Sequence, residues 1–277
     1  MILNADSAQV YRDLPVLSAA PSQKERARAE HRLYGFRDGA DPCSAADWAE
    51  LARSEIKAVQ ESARLPILVG GTGLYLRTLL EGIAPVPPID PDIRCRIRAQ
   101  STDENRAELE RLDPDAFKRL NIADTTRIAR ALEVVLSTGR ILAEWQERRE
   151  GGIGASIELR PLILLPPRAW LYDRCDARFS VMVEFGAVEE VAALLARKLD
   201  PSLPVMRAIG VREIAAFLAG EVDREAMIRR GQQATRNYAK RQYTWFANQP
   251  PKEWRRFMEP LNRDAMADAL ALLTGIH

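Results

Sequence analysis

Cysteine and histidine are scarce in this 277-residue chain, and their placement excludes the chemistries they most often carry. Cys43, Cys95 and Cys175 lie far apart with no C-x-x-C pair, and one of the two histidines is the terminal His277. Neither a disulfide framework nor a zinc site is expected. Membrane-spanning apolar runs are missing, as is the basic-then-apolar start of a signal peptide. The expectation is a soluble cytoplasmic protein with no membrane partner. No Gly-Lys pair occurs anywhere, which excludes a Walker A loop within this sequence. Internal repeats and low-complexity tracts are also absent.

What remains is ordinary globular material, 47% hydrophobic and 29% charged. The length suits one large α/β domain or a domain with an insertion. A net charge of +1 conceals an asymmetry: from Arg207 to Arg256 eleven Lys or Arg stand against five Asp or Glu, a local +6. A basic region of this kind suits an anionic partner, and a salt-bridged, solvated helix face would read the same way.

Strand and helix signals alternate at first. Ile2-Leu3 followed by Asn4-Ala5-Asp6-Ser7 reads as a buried strand emptying into a polar loop, where α/β enzymes place their chemistry. Ser44 with Asp47 forms a capping box before a stripe of Trp48, Leu51, Ile56 and Val59. "ILVGGTGLY" is a short strand running through glycines into a helix. After "PVPPIDP" the segments turn helical, the last with Ile128, Ala131, Leu132, Val135 and Leu136 on one stripe and Gly139 as its C-cap. "EGGIGAS" then gives a flexible exit and "ELRPLILLPP" restores a strand. The expected organisation is a first part of an α/β core at 1–89, a helical insertion at 90–157, and core completion with basic C-terminal helices at 158–277.

Three constellations could carry chemistry. Asp6-Ser7-Ala8-Gln9 offers a carboxylate as general base with hydrogen-bonding neighbours, or equally a capped turn. Gly70-Gly71-Thr72-Gly73 permits close backbone approach to a ligand, with helix-start amides that favour an anion. "ATRNYAKRQYTWF" (234–246) places Arg236, Lys240 and Tyr243 near one helix face and Tyr238, Arg241 and Trp245 near another. Basic and aromatic groups so interleaved suit phosphate contacts with base stacking, as would an amphipathic core helix.

Taken in order, "ADSAQVYR", "LVGGTGLY", "DIRCRI", "TTRIARALEV", "MRAIGVRE" and "ATRNYAKRQYTW" closely resemble the tRNA dimethylallyltransferase (isopentenyltransferase) family, from Met1 to about Ala247. The resemblance implies a P-loop kinase-like α/β core with an inserted all-helical domain, acting as a monomer. It implies transfer of a dimethylallyl group from dimethylallyl diphosphate to N6 of the adenosine 3′-adjacent to the anticodon, in tRNAs reading codons that begin with U. By the same resemblance Asp6 accepts the N6 proton, Thr72 orients the adenine, and Arg207 completes the catalytic set. Ser7, Ala8 and Gln9 line the pocket, and Gly70, Gly71, Gly73, Arg207 and Arg212 hold the diphosphate. Further tRNA contacts fall on Arg94, on Thr126, Arg127, Ile128, Ala129 and Arg130, and on Ala208, Ile209, Gly210, Val211 and Arg212. The last set is Lys240, Arg241, Gln242, Tyr243, Thr244, Trp245, Phe246 and Ala247.

Family members carry a strand, a G-x-x-x-x-G-K-[ST] loop and a helix upstream of the D-S-x-Q motif, and this sequence has no counterpart. That loop supplies amides and a Lys to the diphosphate and a hydroxyl to Mg²⁺, the cofactor the family implies. The expectation is therefore a start set too far downstream, with the core's first strand missing and Met1–Ala5 left with an unpaired edge. Two other readings stay open: an inactive homologue that only binds tRNA, and another kinase or transferase on the same core.

Overall fold

Ile2–Asn4 forms the first strand (β1) and is followed by a short strand, His31–Arg32 (β2). Helix Ala45–Glu61 (α1) starts at the Ser44/Asp47 capping box that the sequence predicts, with Ser44 Oγ accepting the Asp47 N–H. Its stripe buries Trp48, Ala49, Ala52, Ile56 and Val59. Strand Ile67–Val69 (β3) then passes through the glycines into helix Gly73–Glu81 (α2). In the computed structural model, residues 1–274 are described, and His277 lies outside them.

β1, β2 and β3 make one parallel sheet in the order β2-β1-β3, with Ile2 opposite both His31 and Ile67. The expected unpaired edge on Met1–Ala5 is thus overturned. β1 is the central strand, bonded on both sides, and Leu3 and Asn4 are fully buried. The outer strands are β2 and β3, and on the β3 edge Ile67 and Val69 are 43% and 50% exposed. Trp48 closes the layer above: its Nε1 donates to Asn4 O at 2.9 Å and its ring stacks on Tyr75 at 4.6 Å.

The chain divides into two units: Met1–Leu79 with the chain from Ser156 onward, and Leu80–Ala155. The second begins before the Asp90 boundary read from sequence. The reason lies in its neck, where Ile83 and Glu150 exchange two backbone hydrogen bonds of 3.0 Å and bring the Pro-rich entry with the unit. It contains helices Pro91–Ala99 (α3), Thr102–Leu112 (α4), Pro114–Arg119 (α5) and Thr125–Thr138 (α6). α6 ends at Gly139 in the left-handed region (φ 69°), as its C-cap position requires. Ile97, Leu109, Ala116, Ile128, Ala131 and Leu132 form this unit's core, and each fully buried aliphatic side chain contributes about 1.5–3 kcal/mol. The predicted stripe on α6 is rotated: Glu133 and Val134 are buried where Val135 and Leu136 are only partly so.

The first unit resumes with strand Leu162–Leu164 (β4), which pairs in parallel with the late strand Arg255–Phe257 (β5). Between them run helices Arg168–Glu184 (α7), Ala187–Ala196 (α8), Val211–Leu218 (α9) and the long Arg224–Asn248 (α10). α10 lies along α7, with Gly231 allowing the Phe179 ring to approach its backbone. Among the described residues no helix is long and apolar enough to cross a membrane.

Candidate active site

The carboxyl end of β1 is built to present one carboxylate. Buried Asn4 accepts the Asp6 N–H through Oδ1 at 2.8 Å and donates its own amide to the Asp6 and Leu33 carbonyls, both at 2.9 Å. Asp6 Oδ1 accepts the Ala8 N–H at 2.8 Å, which fixes the side chain over the turn. Burial raises the Asp6 pKa above its ordinary value, against the lowering effects of the Ala8 and Gln9 N–H groups and the Arg178 charge. The result is a carboxylate more basic than a solvated aspartate.

The glycine loop meets this turn directly. Ala5 N–H donates to Val69 O at 2.8 Å, Thr72 N–H to Ala5 O at 3.1 Å, and Ser7 N–H to Thr72 Oγ1 at 2.9 Å. Thr72 Oγ1 in turn donates to Ser7 Oγ at 3.2 Å. A Cβ on Gly70 would stand 2.2 Å from the Ala5 carbonyl carbon, one on Gly71 2.1 Å from Gln242 Nε2, and one on Gly73 2.4 Å from the Trp245 ring. The three glycines therefore serve close packing of β3 against β1 and of α10 against the loop. Gln9 turns inward: its amide donates to the Ser18 and Ala19 carbonyls at 3.0 and 2.9 Å, bracing the loop after the motif.

α10 supplies the opposite wall. Gln242 Nε2 donates to Gly71 O at 2.9 Å, and the Tyr238 phenol stands beside the Thr72 and Gln242 side chains. Burial and then the Asp6 charge push the Tyr238 phenol above its ordinary pKa. Tyr34 is raised by the same two causes. Sequence reasoning assigned neither tyrosine to the Asp6 pocket. For Tyr238 a signal existed, since Tyr238, Gln242 and Trp245 follow one another at i, i+4 and i+7.

Arg207, Arg212 and Arg241 line one groove of about 290 Å³ with Glu213 and Asn237. Arg241 lies over the Tyr238 ring at 5.5 Å, so the aromatic beside the Asp6 pocket also carries a guanidinium of this groove. A wider hollow of about 710 Å³ lies along Lys240, Arg241, Thr244 and Trp245. Other expected contacts are interior. Ile128 is fully buried in the core of the second unit, Val211 is 2% exposed, and Gly210 is buried, so the Ile128 and Val211 side chains pack the fold. Tyr243 is held by Arg168 over its ring at 4.7 Å. Arg236, for which the sequence left a phosphate contact or a core helix open, is committed to the Asp176 carboxylate on α7 and to Gln233. Arg94, Thr126 and Arg127 are exposed on the second unit, and Ala129 and Arg130 are half-buried.

The sequence profile of the IPP transferase family matches residues 9–249. A tRNA dimethylallyltransferase of Erythrobacter litoralis is 65% identical over 256 residues, 92% of this chain and 81% of the relative. One of Novosphingobium aromaticivorans is 62% identical over 92% of this chain and 91% of its own. Among solved structures, the full-length tRNA isopentenylpyrophosphate transferase of Bacillus halodurans superposes with a TM-score of 0.68 at 29% identity. It covers 99% of this chain and 86% of its own. A eukaryotic dimethylallyltransferase acting on tRNA superposes with a TM-score of 0.73 at 26% identity, over 88% of this chain and 62% of that one.

Proposed function

Because the chain belongs to the IPP transferase family, we propose that it transfers a dimethylallyl group from dimethylallyl diphosphate to tRNA. The acceptor is N6 of the adenosine 3′-adjacent to the anticodon in tRNAs reading codons that begin with U. The observation that carries this reading is the Asp6 carboxylate, held by the Ala8 N–H on a backbone that Asn4 braces, and made more basic by burial.

The exocyclic amine of adenine is a weak nucleophile because its lone pair is delocalised into the ring. As the N6–C1 bond forms, the C1–O bond to the diphosphate breaks, the N6 proton passes to Asp6, and the negative charge leaves on the diphosphate. Thr72, tied to Ser7, faces the base, which must leave the anticodon-loop stack to be reached. The groove of Arg207, Arg212 and Arg241 suits the diphosphate or an adjacent RNA phosphate. Lys240 and Thr244, on the exposed side of α10, suit the RNA backbone.

The Mg²⁺ implied by the family does not find its ligands in these residues. Among the described residues no three His, Cys, Asp or Glu gather, and no Gly-Lys-Ser/Thr loop exists in the chain. The bond and proton movements are accordingly assigned to the chain's own groups and the substrates. The exposed Ile67 and Val69 on the free edge of β3, and Leu164 on β4 at 47% exposure, support pairing there with a further parallel strand, the place for a diphosphate loop.

The test is incubation with dimethylallyl diphosphate and an unmodified anticodon stem-loop, followed by nuclease digestion and mass analysis of the nucleosides. N6-isopentenyladenosine is expected, and none when guanosine replaces the target adenosine. RNA binding without product would favour the binding-only reading.

A further inference from the structure

In the helical unit a single buried carboxylate gathers more cations than it can neutralise. Glu133 on α6 is 1% exposed. Its Oε1 accepts from Arg98 Nε at 2.9 Å, while Arg94 Nε and Arg130 Nη1 stand 3.9 Å from Oε2. Arg94 and Arg98 are four residues apart on α3, and Arg130 lies one turn before Glu133 on α6, so the three guanidiniums converge from two packed helices.

We propose that Glu133 is a positioning residue that fans Arg94, Arg98 and Arg130 into one site for the phosphates of an RNA strand. This rests on the tRNA-modifying reading and adds to it an organiser and a third arginine, Arg98. A structural ion pair would need one partner; Arg96, on the same helix, has such a partner in Glu108 at 3.1 Å. Three arginines on one carboxylate leave a local excess of two positive charges. Packing like charges together is unfavourable unless an anion shares them. Burial lowers the Arg130 pKa, the Glu133 charge opposes that, and Arg94 and Arg98 lower it further.

The donors are also available. A separation of 3.9 Å is an ion pair and not a hydrogen bond, so Glu133 does not consume the N–H groups of Arg94 or Arg130. Among the described residues neither guanidinium donates a hydrogen bond elsewhere. The three side chains are 47%, 60% and 41% exposed, enough to meet a ligand while their inner ends are anchored. Guanidiniums held in advance lose less entropy on binding a phosphate than free ones.

The experiment measures binding of the full chain to a fluorescent anticodon stem-loop across a salt series. Glu133→Gln keeps the side-chain shape and adds one positive charge overall. If Glu133 merely balanced charge, that variant would bind RNA more tightly. As a positioning residue its loss weakens binding by roughly tenfold, the worth of about one charge-assisted hydrogen bond. The slope of log affinity against log salt becomes shallower by about 0.7 to 0.9 for each phosphate no longer neutralised. Arg98→Ala, at an exposed position safe for folding, lowers the slope likewise, and the double variant is no worse than Glu133→Gln alone. Tighter or unchanged binding by Glu133→Gln overturns the proposal. Should that variant not fold, as read by circular dichroism, an unchanged slope in Arg94→Ala, Arg98→Ala and Arg130→Ala overturns it instead. A parent that binds no RNA refutes the functional reading as well. A parent whose binding responds to Lys240→Ala but to none of these variants refutes this site alone.

Discussion

Replacing Asp6 by asparagine separates chemistry from folding at this site. The substitution keeps the shape, and the asparagine carbonyl can still accept the Ala8 N–H that Asp6 Oδ1 accepts at 2.8 Å. What disappears is the group that receives the N6 proton. Loss of a general base costs roughly 10²- to 10⁴-fold, or about 2.7 to 5.4 kcal/mol of transition-state stabilisation. Single-turnover transfer should therefore fall by at least the lower figure while tRNA affinity stays nearly unchanged. Stability should move the other way. Burial raises the folded pKa above the unfolded value of 3.8, so the native state holds the proton more tightly. That contribution is full below the unfolded pKa and is lost as pH rises through the folded one. At neutral pH the ionised Asp6 is thus a cost, and the asparagine variant should melt at a higher temperature than its parent. The difference should shrink as pH falls through the folded pKa. In the parent, transfer should decline on acidification from above the usual aspartate range, and the variant's residual rate should not follow it. Normal transfer by the variant would falsify the assignment of Asp6 as the base, and a lower melting temperature at neutral pH would refute the burial argument.

Tyr238→Phe removes the hydroxyl that stands beside Thr72 and Gln242; we expect a drop in kcat larger than any change in KM, and unaltered kinetics would sever Tyr238 from the site. Gly70→Ala drives a methyl into the Ala5 backbone at 2.2 Å; a loss of about 1–3 kcal/mol is expected from overpacking, and a variant as stable as its parent would show that β3 need not lie so close to β1. Lys240→Ala and Arg241→Ala should each weaken stem-loop binding and reduce the salt slope by about 0.7 to 0.9. An unchanged slope would assign both side chains to folding.

Several of these groups are legible in the sequence alone. The polar loop after Ile2-Leu3, the Ser44/Asp47 capping box, the glycines after "ILV" and the Gly139 C-cap are all local signals, carried by residue types at fixed spacing, and each lies where the sequence places it. Six motifs in order were enough to indicate the family. Other assignments needed distances between residues far apart in the chain. Whether Met1–Ala5 is an edge or a centre depends on pairing with His31 and with Ile67, which no period in the first five residues encodes. The apolar stripe on α6 could not reveal that Glu133 is buried, because an amphipathic pattern marks an acidic residue as solvent-facing until three arginines from two helices surround it. Likewise the basic-aromatic run on α10 mixes side chains of different fates. Arg236 is consumed by Asp176, Tyr238 is drawn to Thr72, and Lys240 is left in solvent. Local sequence names the residue types able to do the chemistry and the helices and turns that carry them. Which of them are buried beside one another depends on contacts between distant segments, and those contacts set the direction of the Asp6 pKa shift and the partners of each arginine.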